Sequence, residues 1–543
     1  MRKLILPAVI TLAFLVRVIG ISDHPAGFTP DEASFGYDAY SLLHTGRDQW
    51  GNSWPLVLKS FGDGKLPVYA YLTVPSIAIF GLNEFAVRFP NAIAGTLAVL
   101  VVYMLIKELR SRSLKIADKV AGFNWKLEIT AAMLLSLSPW HIQLSRGAFE
   151  ANLTTLFLPL ALYFYLKAKQ NNKFLIIAVI MAGVNVFTYH SARLVTPLLF
   201  GLLMLLDYKK FVKDKWFWLS ACIAMLFIVL VFVSFTQGGG TRLASSSIFQ
   251  LSSDQRYTAV QTGANDFVSR IFYNKVAFLS STFLKNYLSY FSPQFLFTSG
   301  AAEATYGMIP GKAVMYLPEI LLIVGFLIYL VKNNTSKFNW LILWILLAPV
   351  PAALTTGPGY AANRAEILLP ALNMVAALGL LIYRKKVQIL IVLLIAVSFT
   401  ITAHSYLYIQ PVAATKAMVY GARQIFDYTK NQNQYNQIFI SKKISEPHIY
   451  TAFYEKIDPI EFQTWANKWG FEESGLHWVD QLPEYYLGNY IFKSFNWISD
   501  SQNYPNSLFV GEPGEFPEDA IALKKIYSPD NKEIYWIVGS KTQ

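Results

Sequence analysis

The sequence predicts an all-α polytopic membrane protein of about eleven transmembrane helices, followed by a small α/β domain at the carboxyl terminus. Apolar residues make up 54% of the 543 positions and charged residues only 15%, whereas a soluble domain carries about 25% charged residues. The apolar residues are grouped in segments long enough to cross a hydrocarbon layer about 30 Å thick. Residues 411–543, called the tail below, have the composition of an ordinary soluble domain.

Eleven apolar segments are interpreted as membrane spans. Several contain only 13 to 16 residues, a length that is also typical of buried or re-entrant segments. Basic residues in the connections between them favour crossing. The segments are 4–21, 86–106, 127–140, 153–166, 174–189, 194–206, 216–235, 314–331, 340–354, 367–383 and 387–406.

The distribution of basic residues predicts the orientation. Nearly half of the 46 Lys and Arg residues lie in short connections after every second apolar segment, and the alternate connections are long or poor in Lys and Arg. Basic connections stay in the cytoplasm, so we expect a cytoplasmic amino terminus and an extracytoplasmic tail in the cell membrane. This placement accounts for the net charge of +12 without a nucleic-acid partner.

Three long segments are expected outside the cytoplasm: 22–85, 236–313 and the tail. Residues 1–410 are predicted to form the transmembrane domain, with 22–85 and 236–313 as its external loops, and 411–543 the soluble domain. Within the tail, short apolar runs predict strands at 437–441, 490–494, 507–511 and 533–539, and 447–456 is predicted to be a helix.

The first external loop contains an adjacent acidic pair, Asp31 and Glu32, directly after Pro30. One interpretation is structural, because proline suits the first turn of a helix and acidic residues are favoured at the positive end of its dipole. The other is catalytic, with Asp31 as a general base that takes a proton from an attacking hydroxyl. Two adjacent carboxylates repel each other, so one could stay neutral or the pair could share a metal ion.

Two further motifs follow the acidic pair in a telling order: KLPVYAY at 65–71, and Arg88-Phe89-Pro90 at the start of the second span. This ordered set resembles the polyprenyl-phosphate-dependent glycosyltransferases of family 39, which include protein O-mannosyltransferases and lipid A aminoarabinose transferases. The resemblance covers roughly residues 5 to 200, returns at NRAEILLP (363–370) and is absent from the tail. It implies the fold called GT-C.

The resemblance implies roles for three acidic residues. The family's acidic pair supplies the catalytic base, which places that role on Asp31, with Glu32 in support. Relatives of the aminoarabinose-transferase type have a further external aspartate after the third span. The acidic residue at that place here is Glu150, a longer carboxylate.

The resemblance also implies three phosphate-binding cations. Lys65 matches the family lysine that contacts the carrier phosphate, although Leu66 replaces the first proline of the family's Lys-Pro-Pro segment. Arg88 and Arg364 are further candidates. Chemistry independently favours cations here, because negative charge grows on the departing polyprenyl phosphate and fixed cations stabilise that transition state. The alternative for each is an interfacial residue that extends its charge to water.

Arg17 lies inside the first apolar segment, where a charge at the helix centre costs about 2.5–3.5 kcal/mol on insertion scales. We expect it to be held in a structural ion pair with a carboxylate, and the alternative is that it faces the lipid carrier. Two histidines near outer ends of spans, His141 and His190, make a poor metal signature. No metal ligand and no certain cofactor are therefore predicted, and whether the protein needs a divalent ion is left open.

We therefore expect an integral membrane glycosyltransferase that moves a hexose or pentose from a polyprenyl-phosphate donor to a hydroxyl of a protein, lipid or glycan, with inversion, on the extracytoplasmic side. Its expected partners are the lipid-linked donor, the membrane lipid and the acceptor. A transporter or flippase for a lipid-linked glycan is one alternative, although no paired repeat is visible. A glycan polymerase or ligase is another, because 236–313 is long enough for the large external loop of such enzymes.

Overall fold

The computed structural model describes residues 4–113, 127–240, 246–251, 267–272, 274–301, 306–332, 338–356 and 361–540. Helices dominate as far as residue 413. The first ten are α1 (Ile5–Val18), α2 (Pro30–Thr45), α3 (Val68–Phe80), α4 (Glu84–Ser113), α5 (Leu127–Leu137), α6 (Pro139–Ser145), α7 (Thr154–Ala168), α8 (Phe174–Val186), α9 (Ala192–Phe211) and α10 (Lys215–Thr236).

Most of the helices that follow are shorter and more often interrupted. They are Phe267–Phe272, Lys275–Ser289, Glu319–Lys332, Asn339–Leu347, Val350–Ala353, Ala362–Ala365, Leu369–Gly379, Lys385–Tyr408 and Gln410–Ala413. The predicted external loop 236–313 lies partly outside the described residues, and its described part contains the helix Lys275–Ser289.

Each of the eleven predicted apolar segments contains an α-helix. Among the described residues, four helices are long and apolar enough to cross a membrane: Glu84–Ser111, Lys215–Thr236, Ala362–Ile382 and Lys385–Tyr408. A fifth span is present if Pro139–Ser145 and Glu150–Ala168, which meet at 117°, are taken together. The chain is thus a multi-pass membrane protein, while the number of eleven crossings, the orientation and the division at residue 410 stay predictions.

Arg17 differs from its prediction. Its guanidinium donates from Nη1 to the carbonyls of Ala13 (2.8 Å) and Ser136 (3.3 Å), and Nη2 lies 2.8 Å from Nδ1 of His141. The expected carboxylate partner is therefore replaced by carbonyl and imidazole acceptors. The carbonyl of Ser136 is available for this purpose because the last turn of α5 leaves its carbonyls without a helical partner.

The tail contains a six-stranded mixed sheet in the order β4-β5-β3-β6-β8-β7. The central strand β3 (Gln437–Ile440) is parallel to β5 (Tyr490–Lys493) and β6 (Ser507–Gly511), and the remaining pairs are antiparallel. These strands, β8 (Glu533–Gly539) and the helix Pro447–Glu455 confirm the five predicted elements. The α/β character of the tail is therefore confirmed.

Two strands of this sheet were missed, and both are edge strands. They are β4 (Glu484–Leu487) and β7 (Ala522–Tyr527). An edge strand is commonly blunted by charged residues, and β7 carries exposed Lys524 beside Lys525. The apolar run that identified the central strands is therefore missing at both edges.

The tail packs directly on the first external loop. Tyr450 donates its hydroxyl to the carbonyl of Phe28 (2.5 Å), and Tyr37 donates to the carbonyl of Ile457 (2.9 Å). A Cβ on Gly36 would lie 2.5 Å from Val87 of α4 and 2.6 Å from Phe453 of the tail. Helix α2 is thus enclosed between α4 and the tail helix Pro447–Glu455, which positions its amino terminus.

Candidate active site

Helix α2 begins with a capping box. The Glu32 amide donates to Oγ1 of Thr29 (3.2 Å), and the Thr29 amide donates in return to Oε2 of Glu32 (3.0 Å). Pro30 occupies the first turn, where its missing N–H is not needed. The sequence Thr-Pro-Asp-Glu is a signature of this cap, and sequence analysis had not used it. The structural interpretation of the acidic pair therefore holds for Glu32.

Glu32 and Arg88 form a fully buried, bidentate ion pair. Nε of Arg88 lies 2.8 Å from Oε1 of Glu32, and Nη2 lies 3.1 Å from Oε2. Both side chains have no exposed surface, and the Ala148 amide also donates to Oε1 (3.0 Å). Such charge-assisted pairs fix geometry strongly, so Glu32 is held in place by the cap, by Arg88 and by the segment before Glu150.

The remaining N–H donors of Arg88 bind backbone carbonyls in the segment between α1 and α2. Nη1 donates to the carbonyls of Ile21 (3.0 Å) and Pro25 (3.0 Å), and Nη2 donates to the carbonyl of Gly27 (2.6 Å). A guanidinium offers five N–H donors in a fixed fork. In this arrangement the donors bind protein acceptors, so Arg88 fixes the conformation of the segment that leads into α2.

Asp31 has quite different surroundings from Glu32. Its Oδ1 lies 2.6 Å from Nζ of Lys65, and 36% of the Asp31 side chain is exposed. Lys65 ends a small hairpin of β1 (Leu58–Lys59) and β2 (Gly64–Lys65), in which it pairs with Leu58. The structure therefore brings together the predicted base and the predicted phosphate ligand.

The ammonium group of Lys65 is buried, with 1% of the side chain exposed. Its Nζ lies 5.0 Å from the ring centre of Phe35 and 4.9 Å from that of Phe61, a geometry that favours a cation. Apart from the Asp31 ion pair, Nζ has no hydrogen-bond partner among the residues that the structure describes. An ammonium carries three N–H donors, so it has donors to offer a ligand.

A third acidic residue, Asp38, lies on the same face of α2 seven residues after Asp31. It is fully buried and accepts from the amide (3.0 Å) and from Nε2 (3.2 Å) of Gln49. Burial, followed by the charge of Asp48, raises the pKa of Asp38 well above its usual value. Its helical spacing from Asp31 was a signal available in the sequence that sequence analysis missed.

Glu150 and Arg364 lie on short helices that pack against each other. Glu150 begins Glu150–Leu153, and Arg364 belongs to Ala362–Ala365. Nη1 of Arg364 donates to Oγ1 of Thr355 (2.8 Å) and to the carbonyl of Thr356 (2.6 Å). Beside them Glu366 is fully buried, and neither of its carboxylate oxygens has a hydrogen-bond partner within the described ranges.

Asp31 and Glu32 do not converge on a common point, because one pairs with Lys65 and the other with Arg88. A metal ion shared between them is therefore not supported. Within the described part of the chain, one group of three has metal-ligand spacing, and it lies in the tail at Glu446, His448 and Asp480.

Several cavities surround the first external loop and the helices beneath it. A polar cavity of about 360 Å³ adjoins the hairpin and is lined by Lys59, Asp63 and Gly64, among others. Two apolar cavities, of about 280 and 440 Å³, lie along α1 and the helix Lys385–Tyr408, and both are lined by Leu12.

Comparison with known proteins identifies the fold. Residues 64–235 match the family model described as dolichyl-phosphate-mannose-protein mannosyltransferase. The crystal structure of apo ArnT from Cupriavidus metallidurans has a TM-score of 0.53 at 12% identity, over 98% of this chain and 97% of that chain. ArnT bound to undecaprenyl phosphate gives 0.52 at 11% identity with the same coverage. No curated protein sequence matches. The predicted resemblance to the GT-C glycosyltransferases is thereby confirmed.

Proposed function

We propose that this chain transfers a sugar from a polyprenyl-phosphate carrier to a hydroxyl acceptor, with Asp31 as the general base and Lys65 as the ligand of the departing phosphate. The observation that carries the proposal is the Asp31–Lys65 pair, in which a partly exposed carboxylate touches a buried ammonium at 2.6 Å. The GT-C fold and the family-model match over 64–235 support this class of reaction.

Asp31 is suited to activate the acceptor. Its exposed edge can accept the proton of an acceptor hydroxyl, while Lys65 holds the other oxygen and prevents the carboxylate from turning away. The hydroxyl oxygen then attacks the anomeric carbon from the side opposite the phosphate. The bond between that carbon and the phosphate oxygen breaks, and its electron pair leaves with the polyprenyl phosphate. Such a single displacement inverts the anomeric configuration.

Lys65 is suited to stabilise the leaving group. Its Nζ is enclosed by the Phe35 and Phe61 rings and by Asp31, so water does not weaken its charge. Negative charge on the phosphate oxygen grows as the sugar–phosphate bond breaks. A preorganised cation in a region of low dielectric stabilises that developing charge more than it stabilises the bound donor.

Glu32 and Arg88 act in this proposal by positioning. Their buried pair fixes the amino terminus of α2, and with it the backbone of Asp31. We therefore assign Arg88 to the shape of the loop rather than to phosphate contact. Arg364 stays a candidate for a second phosphate ligand and Glu150 a candidate on the sugar or acceptor side, both as predictions.

The donor's lipid needs an apolar path into the membrane domain. The cavities of about 280 and 440 Å³ along α1 supply apolar surface beneath the first external loop. ArnT, which shares the fold, was solved with undecaprenyl phosphate bound. A carrier of this chemical class, with its phosphate at Lys65 and its chain among the helices, is consistent with both observations.

The test uses the purified full-length chain in lipid nanodiscs with polyprenyl-phosphate mannose and solubilised membranes as the source of acceptors. Release of polyprenyl phosphate is measured for the wild type, for Asp31→Asn and for the matched control Asp23→Asn, whose side chain is 67% exposed beside Arg423. We expect release to be lost in Asp31→Asn alone.

Full release by a folded Asp31→Asn variant would refute the mechanism. In sealed proteoliposomes, movement of the intact donor across the bilayer without release of polyprenyl phosphate would instead favour the transporter alternative. Activity on other polyprenyl-phosphate sugars but not on the mannose donor would identify a different donor sugar. The proposed role of Asp31 would not be affected.

A further inference from the structure

Three potential metal ligands converge inside the tail. Glu446 precedes the helix Pro447–Glu455, His448 lies in its first turn, and Asp480 belongs to the short helix Val479–Gln481. One ligand atom from each lies within 4.8 Å of the others, and Nδ1 of His448 is 3.8 Å from Oε2 of Glu446. With metal–ligand bonds of about 2.0–2.2 Å, the ligand atoms of a tetrahedral site lie about 3.3–3.6 Å apart, so small side-chain shifts would bring these three atoms onto one ion.

The side chains of this group are held in place by neighbours. The Glu446 amide donates to Oδ2 of Asp480 (2.9 Å), and the Tyr485 hydroxyl donates to Oδ1 of the same carboxylate. The His448 ring is packed between aromatic rings, 5.6 Å from Phe61 and 5.0 Å from Trp469. Hydrogen-bonded supports of this kind orient the ligands in metal sites.

One carboxylate oxygen in the group has no hydrogen-bond partner. Glu446 is 9% exposed, and its Oε2 has no hydrogen-bond partner in the described part of the structure. Nδ1 of His448 lies 3.1 Å from the Tyr485 hydroxyl, whose hydrogen serves Asp480. In the tautomer protonated at Nε2, the electron pair of Nδ1 is therefore available to a metal ion. A buried carboxylate oxygen without a partner is costly, and a cation bound between these atoms would satisfy it.

We propose that Glu446, His448 and Asp480 bind one divalent transition-metal ion, of which Zn²⁺ fits best. One imidazole nitrogen and two carboxylate oxygens are ligands that Zn²⁺ accepts in a tetrahedral site with one open position. Mg²⁺ and Ca²⁺ require about six or more oxygen ligands, so they fit this set poorly. The two carboxylates balance the charge of the ion.

The ion would lie beside the contact between the tail and the hairpin that carries Lys65. The Val479 amide donates to the carbonyl of Phe61 (3.0 Å), and the Phe61 ring touches both His448 and Lys65. A metal at this position would hold Phe61 against the ammonium. Metal binding itself does not depend on the proposed glycosyl transfer.

The experiment uses the full-length chain, freed of metal with a chelator, in nanodiscs. Zn²⁺ is titrated calorimetrically and Co²⁺ by its visible absorption, with Mg²⁺ as a comparison ion. We expect one Zn²⁺ per chain and intense Co²⁺ bands typical of low coordination number. Glu446→Gln and Asp480→Asn are expected to weaken binding by roughly 100-fold, since loss of a supporting residue alone costs 10–100-fold.

The matched control is Glu484→Gln, which alters an exposed carboxylate of the tail sheet and is expected to bind Zn²⁺ like the wild type. Equal Zn²⁺ affinity in the control and in Glu446→Gln would overturn the proposal, as would wild-type protein that binds neither ion. If Glu446→Gln fails to fold, Glu446→Asp is measured instead. A Co²⁺ spectrum of this variant that differs from that of the wild type supports the site, whereas affinity and spectrum equal to those of the wild type contradict it. These readouts contain no sugar donor, so they are independent of the outcome for Asp31.

Discussion

The carboxylate of Glu32 and the guanidinium of Arg88 meet through two hydrogen bonds, of 2.8 and 3.1 Å, with both side chains fully buried. Asp31, the preceding residue, is 36% exposed and pairs with Lys65 instead. Two adjacent acidic residues thus serve different purposes, one anchoring the helix and the other facing solvent. The predictions below separate these purposes experimentally.

Arg88→Met is expected to destabilise the protein strongly. It leaves the Glu32 carboxylate buried without its partner, and breaking a buried pair in this way costs about 3–5 kcal/mol. Thermal unfolding in nanodiscs measures the effect, with Arg47→Met in the first external loop as an exposed control. A variant of normal stability that has lost only donor binding would show that Arg88 contacts the phosphate.

Lys65→Met is expected to lower kcat for release of polyprenyl phosphate by about 10²–10³-fold, the usual effect of removing one group that stabilises transition-state charge. KM should change far less, because the charge on the phosphate oxygen grows only during bond breaking. Lys59→Met is the matched control, since Lys59 lies in the same hairpin and pairs with Glu472. Equal kinetics of the two variants would exclude the proposed role of Lys65.

The raised pKa of Asp38 predicts how the stability of the protein varies with pH. Its pKa is raised in the folded protein by burial and by Asp48, so above the usual pKa the folded state binds more protons than the unfolded state. Stability from this group is therefore present at low pH and is lost as pH rises toward the folded pKa. Relative to Asp38→Asn, the wild type should lose thermal stability progressively as the pH rises above the usual carboxyl pKa of about 4.

The comparison for this pH series is Asp519→Asn, which alters an exposed carboxylate of the tail. Its difference in unfolding temperature from the wild type should stay constant across the series. A constant difference for Asp38→Asn as well would mean that Asp38 is ionised in the folded protein.

Gly36→Ala tests the packing of the tail on α2. The new methyl group would lie 2.5 Å from Val87 and 2.6 Å from Phe453, and overpacking of this kind costs about 1–3 kcal/mol. Gly201→Ala in α9 is the control, because a Cβ there meets no atom within 4 Å. Alanine is the better helix former by about 1 kcal/mol, so the control should be neutral or stabilised. Similar unfolding temperatures for the two variants would contradict the close packing.

Much of the fold could be predicted because it follows from local properties. The eleven apolar segments each contain a helix, and the central strands of the tail coincide with its apolar runs. Edge strands β4 and β7 escaped prediction because only one of their sides is paired, which permits charged residues there. The apolar helix α3 was not predicted either, since it lies within the segment 22–85, which was predicted to be an external loop.

The sequence by itself determined the membrane character, the tail's α/β character and the presence of an acidic pair ahead of a lysine and an arginine. Apolar length and alternation are properties of neighbouring residues, so they can be read along the chain. Only the tertiary structure decided which acidic residue meets which cation, and that Glu446, His448 and Asp480 converge beneath Phe61. Those contacts join residues far apart in the chain, and they depend on how the tail and the hairpin pack around α2.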